Sequence, residues 1–371
     1  MRILIVSPIA SHPQNQGNSV RITTIGKQLQ ALGYTVHFLY YPLEGLTDQQ
    51  HKDMTSCWDY FHTISCDLPN KEKTLGEYYC IDDWYDPRLG EFVRKLHERW
   101  HFSIVLVNYV WFSALLEILP SDIKKVIDTH DVFGNRHLRF TEKGMRPEWF
   151  YTTPEEEKHG LQRANLVIAI QNEEEFYFHS LLEGTNTKVI TIGFLAPPRF
   201  LPPRPLPRIP VVGYLGSGNP FNVNSIKDFI ASVKTNPIVS QSYRFVIAGT
   251  ICEKLDILQE PFQSLGCIDD IEDFYASVDI VVNPMVGGSG LKIKSLEALS
   301  FGLPFIGTKD AMVGIPPKHY THALAGVKEM VLALELILTE PGLLLEIGNN
   351  SRSCFNEYIS MYSSNFSLYW V

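Results

Sequence analysis

The chain has 371 residues, 45% of them hydrophobic and 20% charged, with 32 basic against 41 acidic residues for a net charge of −9. So much apolar content excludes a disordered or fibrous chain, and the length exceeds what one core usually holds, so two domains are expected. An acidic balance without a basic stripe argues against nucleic acid as a partner and gives no general attraction to anionic lipid.

The first ten residues are apolar, but Pro8 interrupts them and no cleavage pattern follows, so they are expected to be a strand and not a leader. No run approaches 18 uncharged apolar residues, so no membrane-spanning helix is expected. Cys57, Cys66, Cys80, Cys252, Cys267 and Cys354 are scattered without a CxxC pair, a pattern that fits buried free thiols in a reducing compartment and a cytoplasmic location.

Residues 2–6 form a continuous apolar run, as a strand covered on both faces should. A polar loop over 11–19 with Gly17 inside it leads to helical spacing over 20–32, closed by Gly33, and 35–40 is the next strand. Strand, loop, helix, strand is a βαβ unit and implies a parallel sheet. Strands at 104–108, 125–128 and 166–169 continue the alternation, with helices at 86–99 and 155–163. The acidic triplets at 155–157 and 173–175 are expected to be solvated helix starts. Trp58, Trp84, Trp111 and Trp149 are mostly core, with one or two available to stack on a sugar.

Seven prolines in residues 197–210 favour extended geometry and suggest an interdomain linker. The alternation then restarts, with strands at 211–215, 244–248, 280–284 and 304–307 and helices from about 223 and at 291–300. The expected architecture is α/β, two doubly wound Rossmann-like domains over 1–196 and 211–350. A C-terminal helix over 351–371 is expected to pack back on the first domain.

Residues 279–308 (DIVVNPMVGGSGLKIKSLEALSFGLPFIGT) carry the strongest chemical signal. A buried strand gives way to Gly287, Gly288, Ser289, Gly290 and Leu291, which open into a helix whose first free amides form an anion site. Lys292 and Lys294 fall in the first turn, where the helix dipole disfavours cations unless an anion is present, and that local conflict points to a bound phosphate. Glu297 lies one turn further, within reach of a ribose or sugar hydroxyl. A second strand–loop–helix start over 213–225 offers Gly216 and Ser217 to a diphosphate, with Asn222 equally well a helix cap. In the first domain Gly17 allows close approach, and Arg21 can pair a phosphate or a carboxylate. His130 and Asp131 follow a strand end, where they can orient a sugar or serve as a satisfied loop histidine and a cap. There is no GxSxG or GxxxxGK[ST], and no GxGxxG after the first strand. Serine-hydrolase, P-loop and dinucleotide-oxidoreductase chemistry are unsupported.

These segments together resemble the GT-B-fold retaining glycosyltransferases (glycosyltransferase family 4-like, glycosyl transferases group 1). GGSGLKIKSLEALSFGLPFIGT is similar to their nucleotide-sugar segment, GYLGSGNPFNVNSI to the first loop of their donor domain, and QGNSVRITTIGKQLQALGYTVHFL to the opening of their acceptor domain. The resemblance implies sugar transfer from a nucleoside diphosphate sugar to a glycan, lipid-linked or protein acceptor in an interdomain cleft. Polysaccharide or glycoconjugate synthesis, with peripheral contact at the cytoplasmic membrane face, is the setting it implies. It makes His130, Asp131 and Lys292 the catalytic candidates. Gly17, Arg21, Gly216, Ser217, Gly288, Ser289, Gly290, Leu291, Lys292, Lys294 and Glu297 become the donor-binding candidates. Helix dipole and lysines can replace a divalent ion, so no metal cofactor is expected. Ser289 stands where the family's first acidic residue falls, and the basic pair often found after Gly216 is missing. A GT-B sugar-nucleotide epimerase or hydrolase, or a non-catalytic nucleotide-sugar-binding subunit, is the alternative.

Overall fold

The computed structural model describes the chain except residues 15, 67–71, 143, 145, 148, 205–206, 269, 288–289, 341 and 371. Two compact units emerge, Met1–Leu195 with Asn365–Val371, and Ala196–Ser364.

The first unit runs β1 (Arg2–Ser7), α1 (Gly17–Ala31), β2 (Thr35–Tyr40), α2 (Asp48–Cys57), β3 (Tyr60–Thr63), α3 (Pro87–Trp100) and β4 (Ile104–Asn108). It continues with β5 (Lys124–Asp128), α4 (Leu138–Thr141), α5 (Pro154–Leu161), β6 (Leu166–Ala169), α6 (Asn172–Leu181) and β7 (Lys188–Thr191). Its seven strands are parallel in the order β3-β2-β1-β4-β5-β6-β7. Every residue of β4 is buried, which explains why IVLVN shows no polar alternation.

The second unit holds β8 (Val211–Leu215), α7 (Pro220–Lys234), α8 (Pro237–Ser242), β9 (Arg244–Ala248), β10 (Phe262–Gly266) and α9 (Ile271–Ser277). After these come β11 (Ile280–Asn283), α10 (Ile293–Ser300), β12 (Phe305–Gly307), α11 (Val327–Thr339) and α12 (Leu343–Phe366). Its five parallel strands run β10-β9-β8-β11-β12. In both units the chain order reverses beside the first strand, at β1/β4 and at β8/β11. Such a switch point opens a crevice at the carboxyl ends of the strands.

Several expectations change. The proline-rich stretch is not a free spacer but part of the second unit. The amides of Arg199 and Leu201 donate to Ser300 and Phe301 carbonyls, and Arg204 pairs with Asp279 at 3.1 Å. The C-terminal segment expected to join the first domain divides. Most of α12 belongs to the second unit, where Ser351 hydrogen-bonds within the helix and faces His322, and only residues from 365 onward count with the first. Trp58, Trp84 and Trp111 are all core, so none forms an open platform. Of the six free cysteines only Cys354 is buried and Cys267 is exposed. Among the described residues no helix is long and apolar enough to cross a membrane.

Candidate functional site

Two clusters form at strand carboxyl ends, one in each unit. In the second unit β8 and β11 lie side by side, so the loops leading to α7 and α10 are neighbours. Asn219 caps α7 through its side chain, taking the capping role considered for Asn222. Asn222, now one turn inside, is buried and donates to the Ser217 carbonyl and hydroxyl. Its carbonyl oxygen accepts from the Lys294 ammonium, which also donates to the Tyr214 hydroxyl at 3.1 Å. Lys292 is the residue preceding α10, buried, with its ammonium donating to the Gly290 carbonyl at 2.9 Å. No acidic residue occupies the first turn of α10, and among the described residues no carboxylate forms an ion pair with Lys294. Desolvation, reinforced by the charge of Lys292, pushes the Lys294 ammonium down to about 7.

Gly287 and Gly290 hold φ of 80° and 70°, the left-handed region that glycine occupies without steric cost. The Gly287 amide is already taken, donating to Asp310 Oδ2 at 2.6 Å. Gly288 and Ser289 lie outside the described residues. Leu291 is buried, and its carbonyl accepts from the Ile293 amide. Glu297 accepts from the Tyr275 hydroxyl at 2.9 Å, and burial raises its carboxyl above the usual range. Gly216 is a true close approach: a Cβ there would sit 2.6 Å from the Tyr214 hydroxyl. Ser217 is exposed and accepts from the Asn219 side chain at 3.2 Å.

In the first unit Gly17 is simply the first residue of α1. Arg21, four residues on, is buried, and its guanidinium is spent inside the protein. It donates to both Asp128 oxygens (2.6–3.1 Å) and to the Ile192 and Gly193 carbonyls. Of the two partners considered for Arg21 it takes the carboxylate, and that carboxylate belongs to the chain. The expected phosphate contact is therefore corrected to an internal ion pair.

His130 sits two residues past β5 with φ 63°, and Tyr109, at the end of β4, has φ 71°. Their rings stack at 4.4 Å with 15° between the planes. Two non-glycine residues in the left-handed region, packed on each other, mark a place where surrounding contacts hold the backbone against its preference. His130 Nε2 donates to Asn108 Oδ1 at 2.8 Å and lies 3.3 Å from Asp128 Oδ2. The Asn108 amide nitrogen is engaged with the Val6 carbonyl, so the asparagine oxygen faces the ring and Nε2 carries the hydrogen. Burial is the main cause that brings the imidazole down to about 4, leaving it neutral near pH 7 with Nδ1 as an acceptor. Asp131 points elsewhere, its carboxylate held by Arg136 at 2.9 Å and by the Val132 amide.

Sequence reasoning missed Asp128, Asn108 and Tyr109, whose signal was position alone: each stands at the carboxyl end of β4 or β5. It also misplaced Glu157 and Glu174. Both triplets do begin helices, but each sends one glutamate into the interior. Among the described residues no three His, Cys, Asp or Glu side chains group as metal ligands.

Residues 209–337, which include all five strands of the second unit's sheet, match the family model described as Glycosyl transferases group 1. No curated protein matches the chain by sequence. Solved structures match over its whole length. Sucrose-phosphate synthase from Thermosynechococcus elongatus is 16% identical with a TM-score of 0.70, covering 100% of this chain and 98% of its own. HepE of Anabaena, solved in complex with UDP, is 14% identical with a TM-score of 0.69 over 99% and 100%. S. aureus TarM, in a complex that includes UDP, is 10% identical with a TM-score of 0.68 over 98% and 99%. The fold is GT-B, and the likeness to the glycosyl transferases group 1 model lies in residues 209–337 of the second unit.

Proposed function

We propose that this protein is a retaining glycosyltransferase whose second unit holds a nucleoside diphosphate sugar at the start of α10. One observation carries the reading. Lys294 is a desolvated cation whose partners, the Tyr214 hydroxyl and the Asn222 carbonyl, are both neutral. A buried charge without a counter-charge is costly, and an anion delivered by a ligand removes that cost. A diphosphate fits because a second buried cation, Lys292, acts on Lys294 at the start of the same helix.

In transfer, the departing diphosphate gains charge as the bond to the anomeric carbon breaks. Fixed cations stabilise that charge without reorganising. They take the part of a divalent ion, so the reading needs no metal. Glu297 is assigned to the ribose hydroxyls. His130, neutral and with Nδ1 free to accept, is the first unit's hydrogen-bonding group for the transferred sugar. Asp131 acts on this loop through Arg136. Retention requires the acceptor to attack on the face the diphosphate leaves, with the diphosphate taking the acceptor's proton. The acceptor is assigned to the glycan, lipid-linked or protein class, and the setting to glycoconjugate synthesis at the cytoplasmic membrane face.

The test is a melting-temperature series with UDP, UDP-glucose, GDP and ADP on the full chain and on Lys294→Met. UDP and UDP-glucose lead because HepE was solved with both. A ligand at 100 times its Kd stabilises by about 2.7 kcal/mol, which the Met variant should lose without losing its own stability. No shift with any nucleotide overturns the diphosphate site. A shift without turnover of the sugar nucleotide overturns the transferase.

A further inference from the structure

We propose that Glu157 is a positioning residue that fixes the loop after β5, and with it His130 and Asp131, by accepting from two successive backbone amides of that loop. The role in sugar transfer rests on the function proposed above; the role in the loop does not.

Glu157 lies on α5 and is 1% exposed. Its Oε1 accepts from the Phe133 amide at 2.7 Å, and its Oε2 from the Gly134 amide at 3.0 Å. The Tyr177 hydroxyl of α6 donates to Oε2 at 3.0 Å. One carboxyl group therefore joins α5, α6 and the loop. Adjacent amides pointing at one acceptor form the concave donor pair that binds anions elsewhere in proteins, and here the anion is built in. Gly134 is required for this approach. A Cβ on it would fall 2.7 Å from Glu157 Oε2 and 2.6 Å from the Tyr177 hydroxyl.

The consequence reaches the site by a short path. Phe133 lies three positions past His130, whose φ of 63° must be held by its surroundings. Thr129 anchors one side of that turn to the Ile168 carbonyl through amide and hydroxyl, and Glu157 anchors the other. Several charged groups face the carboxyl. Asp131 of the loop and Glu174 of α6 oppose its ionisation, and Arg136 partly offsets Asp131. Arg21 of α1 acts on Glu174. Burial leads these influences and brings Glu157 up to about 7, against the pull of its two amides and Tyr177. The strength of the staple therefore changes with protonation near neutral pH, since an ionised acceptor makes the stronger hydrogen bond.

The experiment reads the Gly134 amide directly. The Phe–Gly pair occurs only at 133–134 and 301–302. Carbonyl-13C phenylalanine combined with 15N glycine therefore gives two amide signals from the full chain, Gly134 and an internal reference, Gly302. The Gly134 signal should titrate in one step with a midpoint near 7 while Gly302 stays fixed. In Glu157→Gln that step should vanish. In Tyr177→Phe, which removes a hydrogen bond favouring the ionised form, the midpoint should rise. The Phe variant also covers the case in which the Gln variant does not fold, shown by loss of the tryptophan near-ultraviolet circular dichroism, since every Trp lies in the first unit. A Gly134 signal that does not titrate, that titrates unchanged in Glu157→Gln, or whose midpoint stays put in Tyr177→Phe overturns the proposal. If the amide behaves as expected and the wild-type chain transfers no sugar, the positioning role stands and the transferase reading falls.

Discussion

The two clusters are built from the same parts, a parallel strand end, a loop and a helix start, yet they settle their charges in opposite ways. In the first unit Arg21, Asp128 and neutral His130 satisfy one another, and the guanidinium makes every contact inside the chain. In the second unit the partners of Lys294 among the described residues are two neutral oxygens and the face of the Tyr214 ring. A cluster whose charges are matched internally needs no ligand to balance them, and what it offers a ligand is the neutral acceptor of His130. A cluster with an unmatched buried cation is completed by something that comes from outside.

The largest effect should come from breaking the matched one. Arg21→Ala leaves the fully buried Asp128 without its partner, and removing one partner of such a pair costs about 3–5 kcal/mol. Chemical denaturation followed by a probe in the first unit measures it. Replacing both partners together, as Arg21→Met with Asp128→Leu, should recover most of the loss because no charge is stranded. An Arg21→Ala cost below about 1 kcal/mol would mean the pair is not the closed unit its geometry describes.

How far these clusters were legible follows from the same contrast. The Lys292–Lys294 conflict with the helix dipole lies within three residues of sequence, so it shows without a structure. The Arg21–Asp128 pair spans 107 positions, and only the fold brings it together. Glu157 and Glu174 each look like two glutamates beside them, and what separates the buried one is which way the helix turns against the sheet. Among strands, those covered on both faces announce themselves as unbroken apolar runs. β3, β7 and β10 were missed, and each is the outermost strand of its sheet at one end. Their partly exposed faces dilute the apolar signal, as in the pattern of one buried, three exposed and one intermediate residue along β10.

A middle-sized effect sharpens the second half of the comparison. Lys294 is lowered from 10.5 to about 7 in the free protein, so between those values the native state binds fewer protons than the unfolded chain. By linkage its contribution makes the free protein more stable as pH rises from 7 towards 10. An anion beside it restores the proton. Nucleoside diphosphate binding at pH 8 should therefore take up close to one proton, seen as a dependence of calorimetric binding heat on buffer ionisation enthalpy. Affinity should fall by up to about tenfold per pH unit above 7, the limit for a single proton. Binding without proton uptake at pH 8 would place the ligand away from Lys294.

The smallest effect tests whether the neutral part of the second cluster touches the ligand at all. Ser217 is exposed, and its hydroxyl serves the Asn219 and Asn222 side chains at 3.2 and 3.1 Å. In Ser217→Ala, Asn222 keeps its bond to the Ser217 carbonyl at 2.9 Å and continues to hold Lys294. Stability should change by no more than about 0.5 kcal/mol, as expected for a surface site with no special contact. Nucleotide affinity should change by about twofold or less, because the cation that sets it is undisturbed. A tenfold loss, about 1.4 kcal/mol, would reveal a direct hydrogen bond from Ser217 to the ligand. The serine would then supply part of what a basic pair after Gly216 supplies in the family this segment resembles. The division would no longer lie between a unit with matched charges and a unit with one unmatched cation. It would lie between a closed polar network and an open one, with Lys294 as its strongest member.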